Sequence, residues 1–135
     1  MSKNQIVYKI NAPVGIDEIL EVMQLSGINR PINDKHRMQR MFDNSNVIVS
    51  AWHEFKLVGI SRALSDFSYC CYLSDLAVRN DYQKQGIGKQ MIAVTKDHVG
   101  EQCMLLLLAA PAAMDYYPKT GMDKTDNAFL IKRLL

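Results

Sequence analysis

The sequence predicts an α/β protein built on a mixed sheet, in which an antiparallel meander leads into a parallel strand–helix–strand crossover. Three observations predict this fold class. Residues 46–78 contain three strand-like segments joined by short turns, and residues 83–88 form a glycine-containing loop before an amphipathic helix. Residues 103–109 are apolar without alternation, which is typical of a strand buried on both faces in a parallel pair.

Size and composition predict one ordinary globular domain spanning residues 1–135. The chain is 48% hydrophobic and 22% charged, and its net charge of +2 is too small to favour a nucleic acid or a membrane as partner. Residues 1–10 contain no apolar core of signal-peptide length. Since Pro111 interrupts the most apolar run, residues 103–114, we expect no membrane span and a cytoplasmic location.

The N-terminal region predicts one strand and two helices. Residues 5–10 alternate between apolar and polar side chains, as a short strand does. Apolar residues then recur every three or four positions in 16–23, which predicts an amphipathic helix that ends near Gly27. An asparagine or aspartate at 33–34 can cap a second helix that reaches about Phe42.

The middle of the chain predicts three antiparallel strands. Residues 46–53 and 55–64 alternate as strands do, and a short turn near Glu54 joins them. Residues 66–68 form the next turn, which leads into a long strand over residues 69–78.

The C-terminal half predicts the crossover and a closing strand. The helix over residues 87–99 stops at Gly100, and the apolar strand 103–109 follows. A further helix is expected from about 111 to 117, because proline is tolerated in a first helical turn. The last strand is expected at residues 128–134.

The glycine loop, residues 83–88, is suited to bind a phosphate group. The first amides of a helix lack intrahelical partners and carry partial positive charge, and glycine lets the backbone approach an anion. Lys84 and Lys89 add positive charge on either side. The loop does not match a P-loop, and it does not match the dinucleotide-binding fingerprint, because Met91 stands in place of the third glycine. The alternative to phosphate binding is that the two glycines only shape a turn.

The three cysteines predict buried thiols and not disulfides. Cys70 and Cys71 are adjacent and cannot bridge each other, and Cys103 leaves the count odd. We interpret them as core residues in a reducing compartment, with a catalytic nucleophile as a much weaker alternative. No spacing of histidine and cysteine predicts a metal site.

Two sequence blocks resemble the GNAT N-acetyltransferase superfamily. Leu76-Ala77-Val78 followed by the loop 83–88 resembles its motif A, Leu-x-Val and then Gln/Arg-x-x-Gly-x-Gly/Ala. Residues 113–122 resemble its later segment, Ala-x-x-x-Tyr-x-Lys-x-Gly-Phe. The resemblance implies a mixed, mostly antiparallel sheet of about six to seven strands flanked by about four helices, with the crossover after the glycine loop.

The resemblance also implies acetyl-CoA as co-substrate, without a metal, and direct acetyl transfer to a primary amine of an unidentified acceptor in a ternary complex. The loop amides would hold the pyrophosphate, the backbone of 76–78 would pair with the pantetheine arm, and the Val78 amide would polarise the thioester carbonyl. The implied cofactor-binding residues are Leu76, Ala77, Val78, Gln83, Lys84, Gln85, Gly86, Ile87, Gly88, Lys89 and Tyr117.

Tyr117 aligns with the tyrosine that protonates the leaving thiolate in many members of this family. A phenol with a pKa of about 10 is protonated at neutral pH and suits that task, although the ring could instead only pack. Consecutive helical residues point about 100° apart, so only one of Tyr116 and Tyr117 should face the cofactor. The spacing to Lys119 and Gly121 selects Tyr117, while Ala110 stands where the family commonly has asparagine.

The general base is less well defined. Asp75 could accept the amine proton through water, yet a structural hydrogen-bond role is the stronger interpretation of this residue. His53 is more typical of a solvated turn, and ordered water alone is a further alternative.

Two other functions compete with catalysis by an N-acetyltransferase. An acyl-CoA-binding sensor or interaction module would keep the phosphate loop without turnover. Acetylation of aminoacyl-tRNA would require a more basic surface, so we do not expect nucleic acid as a partner. Because members of the family often pair through the sheet edge or the C-terminal strand, a homodimer is a further expectation.

Overall fold

The computed structural model describes residues 5–135 and contains a five-stranded sheet with three α-helices. In chain order the elements are β1 (Ile6–Ile10), α1 (Ile16–Ser26), α2 (Lys35–Asp43), β2 (Val47–His53), β3 (Lys56–Ser65), β4 (Cys70–Val78), α3 (Ile87–Val99) and β5 (Met104–Leu106). Three short 3-10 turns lie at Asn80–Tyr82, Pro111–Ala113 and Tyr117–Thr120. The first seven elements confirm the sequence predictions to within a few residues.

The sheet has the mixed topology that the sequence predicts. Its strand order is β1-β2-β3-β4-β5; the first four strands pair antiparallel in sequence, and β5 pairs with β4 in parallel. The helix α3 lies in the connection between β4 and β5, so the strand–helix–strand crossover is confirmed.

The helices cover opposite faces of the sheet. Ile60 packs in a core cluster with α1 and α2, whereas its neighbour Gly59 faces Met91 of α3. Successive residues of a strand point to opposite faces, so α1 and α2 lie on one side and α3 on the other. The core thus consists of one sheet with helices on both faces, and β3 is the middle strand of the sheet.

The C-terminal end differs from the prediction. Residues 111–117 form no α-helix, because their backbone amides donate to the carbonyl three residues earlier, as in 3-10 turns, and Pro118 has no amide with which to donate to Met114. The predicted strand 128–134 is absent, since no strand pairs with it in the described part of the chain, and Phe129 is 99% exposed. The sheet therefore has five strands instead of about six to seven.

β5 and one cysteine are also less buried than predicted. β5 pairs over only three residues, and Met104 is 59% exposed because β5 is an edge strand. Cys71 and Cys103 are buried as expected, but Cys70 is exposed, since it begins β4 with its side chain on the opposite face from Cys71.

Gly59 sets the distance between the sheet and α3. A Cβ at this position would lie 3.0 Å from Met91 Sδ and 3.3 Å from Ala51 Cβ. We expect Gly59→Ala to lower the free energy of unfolding by about 1–3 kcal/mol through overpacking, measured by chemical denaturation.

Ser61→Ala is the matched control, because Ser61 is a buried residue of the same strand whose hydroxyl has no hydrogen-bond partner among the described residues. Removing that hydroxyl should leave the unfolding free energy unchanged or raise it. Equal stability of Gly59→Ala and wild type would contradict the close approach of β3 to α3 at Gly59.

Candidate active site

The site is organised by a separation of two neighbouring strands. β4 pairs with β3 from Cys71 to Val78, but with β5 only from Cys70 to Tyr72. The edge of β4 that faces β5 therefore has no strand partner over residues 73–78. A strand edge of this kind can pair with an extended ligand through its backbone.

The alternation of hydrogen bonds shows which backbone groups face this open edge. The Arg79 amide donates to the Val58 carbonyl at 2.8 Å, so Arg79 faces β3. In an antiparallel pair, alternate residues direct both backbone groups to the same side. Leu76 and Val78 therefore face the open edge, and Gln83 Nε2 donates to the Val78 carbonyl there at 2.9 Å.

The glycine loop leaves the first amides of α3 free. Gly86 lies before the helix in the left-handed region, with φ of 82°, and no side chain caps the helix. The first helical hydrogen bond runs from the Gln90 amide to the Gly86 carbonyl. The amides of residues 87–89 consequently have no intrahelical acceptor, and the helix dipole adds partial positive charge where they point.

A cavity of about 640 Å³ joins the open edge of β4 to this helix start. Of the residues that the sequence predicts for the cofactor, it is lined by Leu76, Val78, Gln83, Lys84, Gly86, Ile87, Gly88, Lys89 and Tyr117. Ala77 is not among them, because its side chain packs in the core cluster of α1 and α2. Gln85 lines a separate cavity beside β1.

Six lining residues were missed by the sequence reasoning, namely Tyr82, Ala112, Ala113, Tyr116, Lys119 and Thr120. Most of them belong to the turns after β5, where the sequence had indicated an α-helix. A cavity wall built from two 3-10 turns has no periodic signal, so only the block around Tyr117 could have pointed to them.

Tyr116 and Tyr117 both line the cavity, although helical spacing allowed only one of them to do so. Their rings meet edge to face with centroids 5.1 Å apart. Tyr117 packs against a core cluster that Leu76 also contacts. The Tyr116 hydroxyl lies so close to the helix start that a Cβ at Gly88 would be 2.6 Å from it. The non-helical turns explain how both rings reach the cavity.

Both phenols stay protonated at neutral pH. Burial raises the pKa of Tyr116. Burial also raises the pKa of Tyr117, as does the neighbouring Tyr116, while Arg30 opposes the shift. Each tyrosine is therefore able to donate a proton inside the cavity.

Asp75 is held in a buried ion-pair network. Its two carboxylate oxygens accept from Arg30 Nε and Arg62 Nε, each at 2.6 Å. Burial raises the pKa of Asp75, but hydrogen bonds and charge from the two arginines outweigh that effect and lower it. A carboxylate in this state is a poor proton acceptor, so the geometry favours a structural role for Asp75 over that of a general base.

The network also fixes the loop between α1 and α2. Arg30 lies in that loop, and its Nη2 donates to the Ser74 carbonyl of β4 at 2.6 Å.

His53, the other residue considered as a base, has its Nδ1 within hydrogen-bond distance of the Tyr82 hydroxyl. Neither Asp75 nor His53 lines the cavity.

A family model described as an acetyltransferase (GNAT) domain matches residues 19–133. The chain belongs to the GNAT acetyltransferase family. Within it, the uncharacterized N-acetyltransferase ycf52 of Gracilaria tenuistipitata var. liui is 25% identical over 123 residues, which cover 86% of this chain and 66% of that relative. The chain thus spans about two thirds of the length of this curated relative.

Solved structures share the fold of this GNAT chain. The protein SA2161 from meticillin-resistant Staphylococcus aureus has a TM-score of 0.78 at 18% identity, covering 96% of this chain and 100% of its own. The GNAT family protein SP0256 from Streptococcus pneumoniae TIGR4 has a TM-score of 0.71 at 21% identity, covering 96% and 99%. At these identities the likeness concerns the fold alone.

Two further features of the described residues bear on the predictions. Over residues 5–135, no group of three or more histidine, cysteine, aspartate or glutamate side chains is placed to hold a metal ion. In the same range, none of the helices combines the length and the apolar character that a membrane span requires.

We expect Asp75→Asn to lower the free energy of unfolding by about 3–5 kcal/mol, because it leaves two partly buried arginines without their counter-charge. The folded pKa of Asp75 is lowered, so its stabilising contribution is present above the unfolded value near 3.8 and is lost as the pH falls through the folded value. The difference in unfolding free energy between Asp75→Asn and wild type should therefore become smaller below about pH 3.8.

Denaturant titrations at several pH values would measure this gap. Ser74→Ala serves as control, because it removes the hydroxyl that accepts from Arg62 Nη2 at 3.0 Å and donates to Asp75 Oδ1 at 3.2 Å, while the charge of the carboxylate stays in place. It should cost only about 1 kcal/mol. A gap that stays constant down to pH 2 would show that the charge of Asp75 is not the source of the stabilisation.

Proposed function

We propose that this chain is an acetyl-CoA-dependent N-acetyltransferase that transfers the acetyl group directly to a primary amine in a ternary complex. The observation that carries the proposal is one continuous cavity. It joins a free strand edge, which suits an extended amide-containing arm, to uncapped helix amides, which suit a pyrophosphate.

The residues of the cavity fit acetyl-CoA as co-substrate. Leu76 and Val78 offer outward backbone groups to the pantetheine arm, and Ala77 contributes only as part of the same strand. The loop Gln83–Lys89 offers its amides, with Lys84 and Lys89 lining the same cavity as positive charges. The aminoglycoside N-acetyltransferase AAC(6')-Iy, whose structure is a complex with CoA, has a TM-score of 0.73 to this chain at 12% identity.

Two steps fall to groups of this chain, and a third transfers a proton to water. The Val78 amide, on the open edge, donates to the thioester carbonyl oxygen and stabilises the negative charge that develops there. As the carbon–nitrogen bond forms and the carbon–sulfur bond breaks, the Tyr117 hydroxyl gives its proton to the departing sulfur. The amine gives its proton to water, because Asp75 is occupied by two arginines and does not line the cavity.

The Arg30–Asp75 pair has a positioning role in this proposal. It holds the loop between α1 and α2 against β4, one residue away from Leu76. That loop would form one side of the acceptor site. Among structural neighbours, a soil-metagenome aminoglycoside acetyltransferase binds sisomicin, so an amine-bearing acceptor is the class that we propose here.

The second candidate function is an acyl-CoA-binding sensor or interaction module with little turnover. Two observations favour it: Ala110 stands where an asparagine would orient the site, and no free carboxylate or imidazole lines the cavity. The sensor would bind acetyl-CoA without releasing free thiol in the presence of amines. The enzyme would bind acetyl-CoA and would also release free thiol when an amine is present.

Two further properties remain proposals. We propose a cytoplasmic location, which is based on the composition of the sequence, and a homodimer, because members of the family often pair through the sheet edge or the C-terminal strand.

Tyr117→Phe is the variant that tests the proposed chemistry. It should lower kcat for thiol release by about 100-fold or more, since proton donation to the leaving group is lost, while the Kd for acetyl-CoA changes little. Thiol release would be followed with a panel of primary amines, and binding by calorimetry.

Tyr116→Phe is the matched control, because it removes a second hydroxyl from the same cavity and leaves Tyr117, the residue that aligns with the family's proton donor. It should keep most of the turnover. Full activity of Tyr117→Phe would remove this residue from the mechanism, and binding without thiol release by wild type across the panel would favour the sensor.

A further inference from the structure

Tyr82 lines the large cavity at the point where the glycine loop begins. It closes the 3-10 turn Asn80–Tyr82 and directly precedes the loop, residues 83–88. Its ring also packs against the buried cluster that contains Ile87, the first residue of α3. The position of Tyr82 is therefore linked to both ends of the loop whose helix-start amides suit a pyrophosphate.

Two residues of the β2–β3 hairpin hold the Tyr82 side chain. His53 ends β2 and Lys56 begins β3, and the two are paired across a two-residue turn, so their side chains leave the same face of the sheet. His53 Nδ1 lies 2.5 Å from the Tyr82 hydroxyl oxygen, and the two rings meet edge to face with centroids 5.6 Å apart. Lys56 Nζ lies 5.1 Å from the centroid of the Tyr82 ring, which is within the range of a cation–π contact.

The hairpin can act on a ligand of the cavity only through Tyr82. Neither His53 nor Lys56 lines the cavity, so neither would touch the ligand that the cavity holds. Tyr82 lines it and is bound to both of them. A contact outside the cavity is thus transmitted to the cavity wall by one aromatic side chain.

The glycine loop contains a backbone conformation that needs such support. Lys84 lies in the left-handed region with φ of 65°, which is unfavourable for a residue that has a side chain. A residue in a sparsely populated conformation persists only where its surroundings fix it, and such residues are common where a ligand is held. Tyr82 fixes the chain two residues before Lys84, and Gln83 adds a tie to the sheet through the Val78 carbonyl.

We propose that His53 is a positioning residue for the co-substrate. Through its hydrogen bond to Tyr82, it holds the glycine loop in the conformation that presents the amides of residues 87–89 to the pyrophosphate of acetyl-CoA. This inference rests on the proposed function, because it concerns how the proposed co-substrate is held. A loop that already has its bound conformation loses less entropy when the ligand binds, so the contact should act on affinity and not on the acetyl-transfer step.

His53→Ala tests this role by calorimetry with acetyl-CoA and by the rate of thiol release. Loss of the hydrogen bond should raise the Kd and the KM of acetyl-CoA about 3- to 10-fold, while kcat changes by less than about twofold. S-acetylpantetheine carries the thioester without the pyrophosphate, so its kcat/KM should be the same for the variant and for wild type. A general structural defect would impair both donors equally.

Three further variants make the test specific. Tyr82→Phe keeps the ring in the cavity wall and removes the same hydrogen bond, so it should match His53→Ala, and the double variant should be no weaker than either single variant. His53→Gln offers an amide oxygen to the Tyr82 hydroxyl and should recover most of the affinity. His36→Ala changes an exposed histidine on α2, outside the cavity, and should leave the Kd unchanged.

Three results would overturn the positioning role of His53. They are an unchanged Kd for His53→Ala, an equal loss of kcat/KM with acetyl-CoA and with S-acetylpantetheine, and additive effects of His53→Ala and Tyr82→Phe. Together with normal turnover by wild type, any of these results would overturn this inference and leave the proposed function standing. A folded wild type that binds no acetyl-CoA would overturn both.

Discussion

The pairing of β4 is the constraint on which the rest of the molecule depends. One edge of this strand is fully engaged by β3, while the other is engaged by β5 over only three residues. Since α3 must connect the ends of β4 and β5, its N-terminus lies where the two strands have separated. A free strand edge and free helix amides therefore meet in one cavity as a consequence of topology.

Charge and packing then fix the surroundings of that cavity. Asp75, buried in the stretch of β4 that has no partner on its β5 side, binds Arg30 from the α1–α2 loop and Arg62 from β3. The cost of burying these charges is offset only while all three stay together, so the network resists movement of the loop relative to β4. Arg79, which directly follows β4, connects the end of this strand to α1 through its ion pair with Glu21 at 2.6 Å.

Local patterns predicted most of this structure, and non-local contacts explain the rest. The periodicity of α1 and α3 and the glycine loop are readable in the sequence, because each is encoded by neighbouring residues. The ion pair of Asp75 with Arg30 joins positions that are 45 residues apart, so no local sequence pattern could predict it. The C-terminal strand is absent because residues 128–134 pair with no strand of the described chain, and the expected helix is replaced by two 3-10 turns, which have no periodic sequence signal.

The central claim is that the open edge of β4 and the amides of α3 form one binding site for acetyl-CoA. An amide-resolved NMR titration of the labelled protein with CoA tests it most directly. The account predicts saturable shifts of the Leu76 and Val78 amides together with those of residues 86–89, at the same dissociation constant. Absence of shifts, or shifts confined to residues outside the cavity, would contradict the account and leave the glycines as turn formers.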